Sequence, residues 1–536
     1  MIMRYFFWFF CINSLLCSQS GNWWVVFSDK ECSQVIELSD RALERRIKQG
    51  IKLDFYDFSV CEEYITVLTQ YNLHIRNTSR WLNAVSVKVD SKEVLDQISN
   101  LSFVKDIYPV RKMVKQTEIS LFKEHIPDYY NPRTFSSLLY GSSYNQIDML
   151  GGVDLHNAGF LGNDMIIAVF DAGFIDVESL PIFENLWVNN QILESYDFVD
   201  KDNNVFKGSS HGTMVLSTMG GYMPDSLIGA APQAKYMLFR TEDSGSETLI
   251  EEDNWAAAAE FADSAGVDII NSSLGYTILY DDLDNSHAYE DMDGNSTIIT
   301  NAADLAASRG ILVINSAGNS GSGDWYYIGA PADGDSVLAV GAVDNNGQIA
   351  SFSSRGPSYD GRIKPNVCAQ GVSSVVADLD STIRLANGTS FSSPIIAGLA
   401  ACLWESQKIM NNDVNNMDII DMIQTSAHLF QIPNDSLGYG IPNFYQAYQN
   451  SILFNNDLSL FDINLYPNPF KDQFSIQNNN SVEFTFDIFN IFGILVYSQT
   501  TNKAHLTIRS LSNYSPGIYF LKIRETSALY PILKTK

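Results

Sequence analysis

The feature that most constrains this chain is a series of short segments, apolar nearly throughout, set between residues 145 and 450: 165–170, 236–240, 267–271, 311–314 and 337–343. Strands with one wet face alternate apolar and polar residues. These segments do not alternate, so each reads as a strand buried on both faces. Ala-rich stretches of helical character lie between them, for example 252–265 and 298–308. Strand and helix in this rhythm predict an α/β domain, a doubly wound parallel sheet covered by helices. Reactive groups in such a sheet are expected at the carboxyl ends of the strands.

The chain is 536 residues long, too many for one core. Residues 21–111 predict a small α+β domain, with strands at 23–27 and 84–89 and helices at 39–49 and 91–99. Residues 112–144 are polar, contain Pro127, Pro132 and Gly141, and read as a linker. From 456 to 536 alternating strands with Asn- and Ser-rich turns (484–489, 494–498, 505–508, 518–523) fit a small β-sandwich. Residues 1–20 read as an export signal. Arg4 precedes an apolar run at 5–16 that is too short for a stable anchor, and Ser18 and Ser20 offer small residues for cleavage. A lipoprotein reading through Cys17 is weaker, because Leu16 before it is not small. No second apolar run has transmembrane length, so no transmembrane anchor is expected. In an oxidising compartment Cys32 can pair with Cys61 and Cys368 with Cys402. For the second couple buried free thiols are the alternative, since both lie in apolar runs. The net charge of -28 repels nucleic acid and anionic membrane, which excludes both as partners.

Three patterns in the central domain carry chemistry. Asp171 ends a buried strand in Val169-Phe170-Asp171-Ala172-Gly173. His211 enters a helical run in Ser210-His211-Gly212-Thr213, and Ser390 lies in Asn387-Gly388-Thr389-Ser390, directly before an apolar helix. Pro394 is tolerable only near the start of that helix, which puts Ser390 at its N-terminal end, where free N–H groups favour negative charge. A serine hydroxyl becomes nucleophilic when a base takes its proton. His does this near neutral pH, and a carboxylate fixes the His tautomer and stabilises the imidazolium. The oxyanion then needs donors, and Asn319, following the strand at 311–314, supplies a side-chain amide. The chemistry requires no cofactor, and no residue is assigned as a metal ligand.

These pieces, in the order Asp, His, Ser, resemble the subtilisin-like serine proteases, or subtilases. Asp171-Ala172-Gly173, Ser210-His211-Gly212-Thr213 and Gly388-Thr389-Ser390-Phe391-Ser392-Ser393-Pro394 resemble the family's three catalytic boxes, with Ala172, Phe391 and Ser392 as departures. Ser273-Leu274-Gly275, Ala317-Gly318-Asn319 and Gly329-Ala330-Pro331 are further matches. The resemblance implies a secreted serine endopeptidase acting on proteins and peptides through Asp171, His211 and Ser390, with Asn319 in the oxyanion hole. It also implies that Ser273, Leu274 and Gly275 pair with the substrate as a β-strand. Ala317, Gly318 and Gly329 would line the pocket before the scissile bond, Gly329 leaving its floor open to a large apolar or neutral side chain. A binding protein of negligible activity on the same scaffold is the alternative.

In subtilases a small α+β propeptide often precedes the protease as folding aid and inhibitor, and residues 21–111 match it in size and position. A binding domain retained in the mature enzyme is the other reading. The C-terminal segment resembles the sorting domain of type IX secretion cargo, through Leu465-Tyr466-Pro467-Asn468-Pro469-Phe470, Asp487-Ile488-Phe489-Asn490 with Gly493, and Pro516-Gly517-Ile518-Tyr519. That implies a Bacteroidota-like cell, passage through periplasm and outer membrane by the type IX machinery, and secretion or surface display. Asp281, Asp282, Asp284, Asp291 and Asp293 cluster in one segment. Such carboxylates can hold a structural calcium. The spacing is not that of an EF-hand loop, and an acidic surface insertion is the favoured reading.

Overall fold

The computed structural model describes residues 21–32, 35–109, 139–243, 250–277, 287–410, 414–460, 463–479, 483–490, 494–509, 511, 514–524 and 529–535. The expected signal and most of the expected linker lie outside them. The chain forms two units, 1–445 and 446–536.

The first unit begins with a four-stranded antiparallel sheet, order β2-β3-β1-β4, made from β1 (Gly21–Phe27), β2 (Leu73–Ser79), β3 (Ala84–Val89) and β4 (Val104–Pro109). Helices α1 (Asp40–Lys48), α2 (Glu62–Leu68) and α3 (Lys92–Ile98) accompany it. Ser39 caps α1 by accepting from the Ala42 N–H, and Arg45, Arg46 and Lys48 occupy its last turn, where cations suit the helix dipole. The two strands read from sequence, β1 and β3, are the central ones. Their neighbours β2 and β4 are edges with exposed polar positions, which blurs the apolar signal. Cys32 and Cys61 are joined, whereas Cys368 and Cys402 are separate buried thiols, so the second pairing does not form.

The linker ends earlier than its composition suggests. Tyr140 is 3% exposed and Gly141–Ser143 form a 3-10 turn, both packed into the central domain. Helices α4 (Tyr144–Asp148) and α5 (Gly152–Asn157) follow. Tyr140 bonds His156 Nδ1 at 2.6 Å, and burial pushes the His156 pKa down to about 4, so the ring is a neutral core group.

The central sheet has seven strands, all parallel, in the order β13-β12-β11-β10-β5-β9-β6. They are β5 (Ile166–Asp171), β6 (Ile192–Asp197), β9 (Lys235–Arg240), β10 (Ile269–Ser272), β11 (Leu312–Ser316), β12 (Val337–Val343) and β13 (Val367–Gln370). Small hairpins β7–β8 (Tyr222–Met223, Leu227–Ile228) and β14–β15 (Ser374–Ala377, Ile383–Ala386) lie outside it. The five strands expected from their unbroken apolar character form the middle. The edges β6 and β13 were not expected: β6 carries exposed Leu193 and Glu194, and β13 is four residues long.

Helices close both faces. Ile166, Ala168 and Phe170 of β5 pack with α8 (Ile250–Ala265) and α9 (Ile298–Ser308). Alternation sends Ile167 and Val169 to the other face, where α7 (His211–Gly220) and α10 (Thr389–Ile409) pack on each other and on the sheet. The short α6 (Glu184–Val188) precedes β6, and α11 (Asn416–Thr425) follows α10. α10 is buried around its whole circumference from Thr389 to Gln407, as the central helix of a doubly wound domain must be.

The second unit has a three-stranded sheet, β16 (Ile463–Tyr466), β17 (Phe474–Asn478) and β20 (His505–Ile508), and a four-stranded one, β19-β18-β21-β22. The latter comprises β18 (Phe484–Asn490), β19 (Leu495–Thr501), β21 (Gly517–Ile523) and β22 (Leu529–Lys534). Phe474 and Ile476 from one sheet and Phe486, Ile488 and Leu521 from the other share one apolar core, a β-sandwich. Helix α12 (Phe444–Leu460) precedes β16 in the chain.

Candidate active site

The chain reverses its direction of winding around β5, and the crevice at the carboxyl ends there collects the site residues. Asp171 is the last residue of β5 and is fully buried. Its Oδ1 accepts from the Ala172 N–H at 2.8 Å, which fixes the carboxylate plane. His211 is the first residue of α7, and its Nδ1 faces both Asp171 oxygens at 2.9 and 3.0 Å. Burial disfavours the charged imidazole, but the adjacent carboxylate more than offsets this and raises the His211 pKa above its ordinary value.

Ser390 is the second residue of α10 and 8% exposed. The helix enters at Thr389, so Pro394 stands in its second turn rather than its first. Pro394 has no N–H for the carbonyl four residues back, which is that of Ser390. The Ser273 hydroxyl donates to that carbonyl instead, at 2.9 Å. The Ser390 hydroxyl points at the Ser273 carbonyl, 3.4 Å away, and among the described residues no hydrogen bond joins it to His211. Such bonds are commonly long in ligand-free sites. The His211 ring lies 5.8 Å from that of Phe391, the residue after Ser390.

Asn319 follows β11 in an exposed loop. Its Oδ1 accepts from the Thr389 N–H at 2.9 Å and the Thr389 hydroxyl at 3.0 Å. This pairing assigns the amide orientation and leaves Nδ2 as the outward donor. Sequence reasoning missed Thr389 in this role, although it lies inside the Gly-Thr-Ser box. It also missed Asn271 and Ser393, whose side chains bond each other at 2.9 Å behind Ser273.

β10 stops at Ser272, and among the described residues Ser273, Leu274 and Gly275 pair with no strand, Gly275 being exposed. Asn315 Nδ2 holds the Leu274 carbonyl at 2.9 Å. Tyr276 then pairs with Ala330 through both backbone bonds, 2.9 and 3.1 Å. Ala317 is buried and Gly318 half-buried beside Ser354. The space next to Gly329 is not open: a Cβ there would lie 2.7 Å from Thr277 Cγ2 and 2.9 Å from the Tyr276 carbonyl. The glycine serves the close approach of these two walls.

Three regions match family models. Residues 162–443 match the subtilase family, 22–123 the peptidase S8 propeptide domain of Bacteroidota, and 464–531 a secretion system C-terminal sorting domain. The chain belongs to the subtilase family. This subtilase is 28% identical to subtilisin E of Bacillus subtilis (strain 168) over 351 residues, 65% of the chain and 77% of the relative. It is 32% identical to the subtilisin of Bacillus pumilus over 262 residues, 48% of the chain and 83% of the relative. A thermophilic serine proteinase of Bacillus sp. (strain AK1) is 31% identical over 263 residues, 48% of the chain and 57% of the relative. The subtilase is a serine endopeptidase of the subtilisin type, with a propeptide domain and an export-sorting domain.

The propeptide domain of the subtilase sits on α8. Trp24 Nε1 donates to Asp253 at 2.7 Å, and Glu260 accepts from the Arg80 N–H at 2.8 Å and from the Ser79 hydroxyl. Asp263, fully buried, is met by Arg45, by Arg46 at 2.8 Å and by Arg80 at 2.6 Å. Burial alone would raise the Asp263 pKa, and the three guanidiniums reverse that and lower it. Of the acidic segment, Asp281, Asp282 and Asp284 lie outside the described residues. Asp291 and Asp293 accept from backbone N–H groups of their own turns. Among the described residues no group of three His, Cys, Asp or Glu could hold a metal, and no helix is long and apolar enough to cross a membrane.

Proposed function

We propose that Ser390, His211 and Asp171 form the catalytic triad of this endopeptidase. The observation that carries the reading is the Asp171–His211 pair with its ring against the N-terminal turn that presents Ser390. His211 takes the Ser390 proton as Oγ attacks the scissile carbonyl. Asp171 holds the ring so that Nε2 is the basic nitrogen and stabilises the imidazolium. The oxyanion accepts from the Ser390 N–H and from Asn319 Nδ2, whose orientation Thr389 sets. His211 then donates its proton to the leaving amine, and water hydrolyses the acyl-enzyme by the same steps in reverse order. Substrate peptide lies along Ser273, Leu274 and Gly275 as an added strand, with its side chain before the scissile bond between that wall and Ala317–Gly318.

The propeptide domain inhibits the precursor until the enzyme cuts the segment that follows it. The N-terminal signal leads the chain to the periplasm, and the sorting domain passes it through the outer membrane by the type IX machinery. A fluorophosphonate probe tests the centre of this proposal. It should label Ser390 alone, and Ser390→Ala should lose both labelling and casein hydrolysis. Full hydrolysis by Ser390→Ala would overturn the mechanism.

A further inference from the structure

Three neighbouring strands end at one level in charged residues: Asp171 of β5 pairs in register with Arg240 of β9, and Arg240 with Asp197 of β6. Asp171 turns toward His211. Arg240 turns the other way, its Nη1 donating to Asp197 at 2.8 Å and to Asp200 at 2.9 Å. Into the same cluster reaches Lys207, whose Nζ lies 2.8 Å from Asp200, 3.0 Å from Asp202 and 3.2 Å from Asp197. Asp197 is fully buried, whereas Asp200 and Asp202 are about half exposed, so Asp197 is the firm anchor and the other two are screened by water.

Lys207 stands four residues before His211, and the backbone between them is stitched to the turn that carries Asp171. The Ser209 N–H donates to the Ala172 carbonyl at 3.2 Å and the Gly212 N–H to the Gly173 carbonyl at 3.1 Å. The contact leaves no room for side chains. A Cβ on Gly173, at φ +140°, would fall 2.0 Å from the Lys207 carbonyl. One on Gly208, at φ +80°, would fall 2.5 Å from the Ala172 carbonyl and 2.9 Å from Arg240 Nε. The segment from 207 to 211 therefore lies between the Asp171 turn and the charge cluster.

We infer that Lys207, held beside Arg240 on the shared carboxylate of Asp197, is a positioning residue for His211: its ammonium holds the His211-bearing segment against the Asp171 turn and so sets the Asp171–His211 distance. This rests on His211 being the general base. The ionisable group in contact with His211 is Asp171, from β5. The groups flanking it from the sheet and the preceding loop are Arg240, Asp197, Lys207, Asp200 and Asp202, and α10 presents the neutral Ser390 and Phe391. A small displacement of a reacting group can cost up to about two orders of magnitude in rate, so a modest loosening has a measurable effect.

The test uses the autoprocessed enzyme, normalised by active-site titration, with a chromogenic peptide amide. Lys207→Met should lower kcat about tenfold with KM within about twofold. It should also move the acid limb of kcat/KM to lower pH, because His211 loses part of the carboxylate interaction that raises its pKa. Lys207→Arg should restore most of both, and Asp202→Asn should shift the limb in the same direction by less. A Lys207→Met enzyme with wild-type kcat and an unmoved acid limb, whatever its Tm, would overturn the inference. Should Lys207→Met fail to accumulate, wild-type kcat with an unmoved limb in Lys207→Gln would do so. His211→Ala separates the two claims: near-wild-type hydrolysis by that variant would overturn the base assignment and this inference together.

Discussion

Ser273 and Ser390 hold each other by two hydrogen bonds of opposite direction, Ser273 Oγ to the Ser390 carbonyl at 2.9 Å and Ser390 Oγ to the Ser273 carbonyl at 3.4 Å. The first replaces the helical bond that Pro394 cannot make, and it ties the end of β10 to the first turn of α10. Ser273→Ala would leave a buried carbonyl without its donor, a cost of about 1–3 kcal/mol. The variant should show a lower Tm and reduced kcat/KM while Ser390 still takes a fluorophosphonate label. Peptide mapping that found the label on Ser273 in the wild type would contradict the assignment of nucleophile.

Asn319→Ala should keep the label and lose roughly two to three orders of magnitude in kcat, the usual loss of one oxyanion donor. Thr389→Val keeps the backbone donor to Asn319 Oδ1 and removes only the hydroxyl. It should therefore cost far less, on the order of tenfold. Steady-state kinetics of the pair would show whether the amide needs both restraints, and equal losses in the two variants would argue against an outward-facing Asn319 Nδ2.

His211 must be neutral to act as base. Its pKa is raised by Asp171 over the opposing effect of burial, so activity should rise with pH through a midpoint above the ordinary histidine value of about 6.5 and then level off. Asp171→Asn should lower kcat by about four orders of magnitude, the effect of holding the wrong tautomer. A wild-type optimum near pH 4 would point to carboxylate chemistry instead.

The propeptide domain grips α8 through a charge cluster that water does not reach. Removing one side of a buried ion pair costs about 3–5 kcal/mol. Asp263→Ala should therefore release the cleaved propeptide domain at least a hundredfold faster than wild type, read as the delay before activity appears in freshly processed enzyme. Its signature is insensitivity to salt, unlike surface pairs such as Lys235–Asp164. An unchanged delay in Asp263→Ala would place the grip elsewhere, on Trp24 or Glu260.

Cleavage between propeptide domain and protease is expected before Leu139, because Tyr140 is buried and the Asp225 N–H donates to the Leu139 carbonyl at 2.8 Å. N-terminal sequencing should find a start between residues 110 and 139, and Ser390→Ala should abolish the cut. The sorting domain should be removed by a different enzyme, so its loss should fail only in a host without type IX export. A secreted form beginning near Gly21 would remove the case for a propeptide.

The middle of the central sheet was legible because strands buried on two faces carry a nearly unbroken apolar run, and the middle of the N-terminal sheet because β1 and β3 are rich in Val and Trp. β3 and β12 are read from sequence with their bounds unchanged. Edge strands such as β2, β4 and β6 face water on one side and mix polar residues into the run, so their pattern is that of a loop. At the site, short boxes announce Asp171, His211, Ser390 and Asn319 as a group. Thr389 lies inside the Ser390 box and Lys207 four residues before His211, but nothing in their residue type announces what they hold. Asn271 and Arg240 come from distant positions by strand register, which no local pattern shows.

Tyr140 gives the processed chain a protected beginning. The residues just beyond the expected cut are folded into the protease body, with the tyrosine hydroxyl on a neutral His156 and the Ser143 hydroxyl on the Ile228 carbonyl at 3.2 Å. An exopeptidase removes residues one at a time from a chain end and stops where the backbone is held. Trimming of this kind would run down the remnant of the linker and stall at Leu139, so a ragged set of first cuts would converge on one mature terminus without a second dedicated processing enzyme.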